Sequence, residues 1–140
     1  TRTAASPPAI TRTFAFGKGN GGWVVNGELI DCSKIRFTMK RGRTERWIYK
    51  NGGGWAHPVH NHFVEGRIVK RNGVVIGPGH QEWCRKDVVT LYPGDEVEYI
   101  VTATDFVGVY PMHCHNVVHE DYGMMMLFRV DDVGDNNTKP

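Results

Sequence analysis

Met112-His113-Cys114-His115-Asn116-Val117-Val118-His119-Glu120-Asp121-Tyr122-Gly123-Met124 holds one cysteine and three histidines within thirteen residues and ends on a methionine. No packing argument asks for such a run of metal ligands. Taken as a strand, residues 109–115 alternate with period 2, so Cys114 falls on one face and His113 and His115 on the other. One tripeptide can then serve two metal sites. Cys114, His119 and Met124 follow at steps of five, a spacing that suits a ligand loop at the end of a strand better than a helix of 3.6 residues per turn. A thiolate, an imidazole and a weak thioether make up most of a blue-copper set, which needs two histidines, one cysteine and a long axial methionine. One histidine is still required.

It has a natural source upstream, in His57-Pro58-Val59-His60-Asn61-His62. His60 and His62 share a face of an extended segment, whereas His57 lies on the other side of Pro58 and can point elsewhere. His57 thus completes a set with Cys114, His119 and Met124. The remaining histidines, His60, His62, His113 and His115, form two same-face pairs on two strands. They suit a second site of pure imidazole character, fit for copper but also for zinc, iron or nickel. Six of the seven histidines fall within 57–62 and 113–119, leaving only His80 alone. Scattered surface or core histidines do not cluster on this scale.

The flanking chain reads as strands and turns. Residues 34–40 alternate, with Ile35, Phe37 and Met39 opposite Lys34, Arg36, Thr38 and Lys40, and 44–50 put Trp47 and Tyr49 on one side. Residues 96–103 place Val97, Tyr99, Val101 and Ala103 on a single face. Asn26-Gly27 and Asn72-Gly73 are hairpin dipeptides, and 17–22 is a glycine-rich turn without the GK[ST] of a phosphate loop. Residues 63–70, 87–91, 109–115 and 124–130 read as further strands, with a loop at 77–86. About eight short strands and no long amphipathic helix give an all-β fold, an antiparallel sandwich or Greek-key barrel. Pro111 favours an edge or a bulge for its strand. Residues 1–12 read as an extended tail and 131–140 as a polar, frayed end.

At 140 residues the chain is one domain with room for a core, and its net charge of +2 is too small to argue for nucleic acid. No run of eighteen apolar residues calls for a membrane span, and the start lacks the build of a signal peptide. Assigning Cys114 to metal leaves Cys32 and Cys84 as either a disulfide or two unrelated thiols. A disulfide would mean an oxidising compartment. The first residue, Thr1 rather than Met, hints at processing, truncation or cleavage from a longer precursor.

His57-Pro58-Val59-His60-Asn61-His62, followed by His113-Cys114-His115 with His119 and Met124, resembles the C-terminal cupredoxin domain of a multicopper oxidase. Lys86-Asp87-Val88-Val89, Gly108-Val109-Tyr110 and His119-Glu120-Asp121 are similar to the bilirubin-oxidase and spore-coat laccase branch. The likeness covers roughly residues 22–130. It implies a cupredoxin-like Greek-key β-sandwich at 13–133, between a tail at 1–12 and a polar tail at 134–140. By position it also implies a type 1 copper on His57, Cys114 and His119 with Met124 axial, a type 2 copper on His60, and type 3 coppers on His62, His113 and His115. Such an enzyme oxidises a small reducing substrate at the type 1 site, passes electrons from Cys114 to His113 and His115, and reduces dioxygen to water. Glu120 matches an acid that relays protons in the similar spore-coat enzymes. A secreted, extracellular or periplasmic location is the expectation.

A trinuclear cluster of this kind draws its histidines from two domains, and this chain supplies four of them. The expectation is therefore a partner: N-terminal cupredoxin domains, as a separate or a cleaved chain. A standalone blue-copper electron carrier is the alternative, and it leaves His60, His62, His113 and His115 idle. A zinc site is weaker still, because zinc has no use for Met124.

Overall fold

The structure is a computed structural model and describes residues 8, 10–19, 22–28, 31, 33–53, 56–61, 65–86, 88–103, 107–114 and 125–140. Twelve strands and no helix form among these residues. They are β1 (Ile10–Gly19), β2 (Gly22–Val25), β3 (Ile35–Lys40), β4 (Thr44–Asn51), β5 (His57–Asn61), β6 (Glu65–Arg71), β7 (Val74–Val75), β8 (Arg85–Lys86), β9 (Val88–Leu91), β10 (Glu96–Thr102), β11 (Gly108–Cys114) and β12 (Met125–Asp131). One sheet has the order β2-β1-β4-β10-β6-β7, with β8 also paired to β6, and the other has the order β3-β12-β11-β5-β9. The result is the expected all-β, cupredoxin-like sandwich. Among the described residues no helix is long and apolar enough to cross a membrane.

Strand alternation makes the core. Trp47 and Tyr49 on β4 pair with Tyr99 and Val97 on β10, and all four are fully buried. From the facing sheet, Phe37 stacks on Phe128 at 5.2 Å between centroids, and Trp47 meets both edge-on. Each such side chain contributes about 1.5–3 kcal/mol through burial. The two Asn-Gly dipeptides act as expected: Asn26 and Gly27 have φ of 53° and 78°, Asn72 and Gly73 of 51° and 81°. Two positive φ values suit the tight hairpin turn that matches strand twist.

Three expectations need correction. The sheets are mixed, because β1 pairs parallel with β4, and β3 with β12. Alternation within a strand tells which face is buried but not which way its neighbour runs. The glycine-rich turn is shorter than expected, since β1 continues through Gly19 and pairs there with Gly22. Pro111 lies in an interior strand, between β12 and β5, rather than at an edge; among the described residues β5 pairs with β11 at Met112, His113 and Cys114. On the β12 side Pro111 is in register with Leu127.

The ends are also built in. Ile10, Thr11 and Arg12, assigned to the 1–12 tail, belong to β1. Arg12 is fully buried and spends its guanidinium on Glu45 Oε1 at 2.8 Å, Asp135 Oδ1 at 2.8 Å and the carbonyls of Thr38, Asp135 and Asn137. Residues 134–140, expected to fray, form a strap over this ion cluster. Thr38 N–H donates to Asp135 Oδ2, Thr13 N–H to the Thr138 carbonyl, and Arg36 Nε to the Pro140 carbonyl. Burying a guanidinium requires acceptors for its donors, and the strap supplies them. Desolvation pushes the Asp135 carboxyl up, but donors from Asn137, Arg12 and Thr38, with the charge of Arg12, hold it below its ordinary value.

Candidate metal centre

β5 lies between β9 and β11, and its burial alternates strictly. His57, Val59 and Asn61 are at most 1% exposed and face the space between the sheets, whereas Pro58 and His60 are half-buried on the outer side. His57 sits 6.5 Å from the Phe16 ring, centroid to centroid, and pairs in register with Leu91 of β9. Alternation across Pro58 thus sends His57 and His60 to opposite faces, as the sequence predicts.

The outer face gathers imidazoles. His113 of β11 is the register partner of His60, and their rings stand 5.5 Å apart between centroids with planes at 69°. Directly opposed side chains on an antiparallel pair share a face at close range. Val88 of β9 and Met125 of β12 continue this cross-strand row. Two adjacent imidazoles on neighbouring strands are half of an imidazole donor set that copper accepts. One residue further, Cys114 ends β11 in register with Val59.

His62, His115, His119, Glu120 and Met124 lie outside the described residues. Among the described residues, no three His, Cys, Asp or Glu side chains gather as a metal site. His57 is brought to one face, and His60 and His113 together to the other. His80 stands apart, exposed, its Nδ1 accepting from the Glu82 N–H at 3.0 Å. Cys84 is an exposed free thiol, and Cys32 is outside the described residues.

Sequence reasoning missed the polar residues behind the histidines. Tyr49 OH donates to Asn61 Oδ1 at 3.1 Å, and Asn51 Nδ2 donates to the Leu91 carbonyl at 3.2 Å. Burial pushes the Tyr49 hydroxyl well up, and neighbouring Tyr99 adds to the shift, so it stays a neutral donor. The available signal was a polar residue at an inward position of an alternating strand: 49 and 51 on β4, 61 on β5.

Sandwich and histidine placement define a cupredoxin-like domain whose two-faced strand pair suits copper. A family profile described as multicopper oxidase matches residues 2–134, and the chain belongs to that family. It is similar to the bilirubin oxidase of Albifimbria verrucaria, with 36% identity over 95% of this chain and 25% of that protein. A laccase of Haloferax volcanii is 38% identical over 77% of this chain and 19% of its own length. The crystal structure of a multi-copper oxidase from Pediococcus acidilactici superimposes with a TM-score of 0.80 at 26% identity, covering 91% of this chain and 27% of that one. The chain therefore spans a quarter or less of these two curated relatives.

Proposed function

We propose that the chain is the part of a multicopper oxidase that carries the type 1 copper site and half the ligands of a trinuclear cluster, with N-terminal cupredoxin domains supplying the rest. The observation that supports this most is the β5–β11 register. It separates His57 from the His60–His113 pair by the thickness of one sheet. By alternation, position 114 belongs with 57, 59 and 61, and position 113 with 60. A lone electron carrier would need only the first set.

His57, Cys114, His119 and Met124 hold the type 1 copper in this reading, His60 the type 2 copper, and His62, His113 and His115 the type 3 pair. Bound copper supplies one-electron chemistry that takes electrons from a small reducing substrate and ends in the reduction of dioxygen to water. The chain's contribution is position. Cys114 and His113 are adjacent in sequence, so the peptide bond between them is a short covalent link between the sites. The His57 ring is fully buried, with the Phe16 ring 6.5 Å from it between centroids. Glu120, next to His119, holds a proton for delivery towards the outer-face cluster.

Metal analysis with visible and electron paramagnetic spectra on the oxidase assembled with its N-terminal domains tests the proposal. One blue copper with three non-blue coppers per assembled molecule is the expected result. A single blue copper, with no other bound, would instead make the chain an electron carrier.

A further inference from the structure

β4 sends two polar side chains across the sandwich, and each ends on a strand beside the histidines. Tyr49 is fully buried among Phe14, Phe16, Trp47 and Tyr99. Its hydroxyl crosses to Asn61 Oδ1, and Asn61 is the residue between His60 and His62. Two positions along β4, Asn51 reaches the carbonyl of Leu91, the register partner of His57. Strand β5 is therefore tied to the opposite sheet at Asn61, and its neighbour β9 at Leu91.

The Asn61 bond is costly for what it gives the fold. Asn61 is 1% exposed and its Nδ2 has no hydrogen-bond partner, so an amide donor is desolvated without return. Replacing both partners of such a pair by apolar groups of similar shape is near neutral or stabilising. Stability does not explain why a phenol and a carboxamide meet here, whereas placement of the flanking imidazoles does. Ligands lose geometry quickly when the groups behind them are removed.

We propose that Tyr49 is a positioning residue which acts through Asn61 to fix the end of β5 beside His60, so that the outer-face imidazoles of His60 and His113 are pre-set for the cluster coppers. This rests on the copper assignment made above. The bond ties the Asn61 side chain to the facing sheet and so restrains the backbone next to His60, whose register partner is His113.

The test uses the copper-loaded, assembled oxidase with Tyr49→Phe, Asn61→Leu and the double variant. Three quantities are read: thermal unfolding, blue absorption, and the rate at which a chelator removes non-blue copper. The double variant is expected to unfold at or above the wild-type temperature, to keep its blue colour, and to release non-blue copper about tenfold faster or more. Tyr49→Phe alone gives the same pattern with a small loss of stability. Unchanged copper release in the double variant overturns the proposal, as does loss of blue and non-blue copper together with a lowered unfolding temperature. A wild-type oxidase that holds no non-blue copper removes the copper assignment itself, and this inference with it.

Discussion

Cys114→Ser is expected to erase the blue absorption of the copper-loaded oxidase and to reduce substrate-driven oxygen uptake to the level without enzyme, while copper held by the outer-face histidines remains. Among the candidate ligands Cys114 is the only thiol, and the blue-copper set depends on its thiolate. A serine hydroxyl is neither soft nor ionised at neutral pH. On the proposed assignment the substitution also removes the sulfur from the link through residues 113 and 114, and electrons entering near His57 would lose their route to the imidazole face. Visible spectroscopy, copper analysis and an oxygen electrode read the three effects separately. Blue colour that survives in Cys114→Ser would remove this residue from the type 1 set.

The largest effect on stability is expected from Arg12→Ala. Arg12 and Glu45 are both fully buried, and Arg12 also reaches the strap at Asp135 and Asn137. Removing one partner of a buried ion pair costs about 3–5 kcal/mol, a large share of the roughly 5–15 kcal/mol that holds a typical domain. The midpoint of thermal unfolding should fall by about 10–20 °C. Arg43 still bonds Glu45 at 2.8 Å, which keeps the loss towards the lower end. Arg12→Lys restores the charge but not the planar fork, and is expected to recover only part of the difference.

Acid should act on the same strap. The folded Asp135 carboxyl lies below its ordinary value of 3.8, so its contribution is present above that pH and disappears as pH falls through the lower, folded value. Arg12→Ala removes one of the groups that depress it, and the acid transition of the variant should be shallower. Denaturant titrations at several pH values check both points. A change below about 1 kcal/mol in Arg12→Ala would show that the cluster is not a clamp.

Sequence reading located the parts governed by local rules. Alternation placed Trp47, Tyr49, Val97, Tyr99 and Val101 in the core and set His57 and His60 on opposite faces of β5, and the Asn-Gly dipeptides marked two hairpins. These depend on period, on φ and on near neighbours, all of which the chain carries locally. Arg12 was read as tail and Arg36 as part of a solvent face, because an arginine is buried only where acceptors converge from elsewhere. For Arg12 those acceptors come from residues 38, 45, 135 and 137. The parallel partners of β1 and β3 and the Tyr49–Asn61 bond were hidden for the same reason: each joins segments whose proximity only the tertiary fold creates. The described part of the site was the more legible, since His57, His60 and His113 take their faces from alternation alone.

Anomalous X-ray scattering at the copper edge, from crystals of the assembled oxidase, tests the separation of the two sites most directly. One copper is expected between the sheets beside His57, and a cluster on the outer face of the β5–β11 pair beside His60 and His113. Copper bound on one face alone, or a single ion shared by His57 and His60, would contradict it.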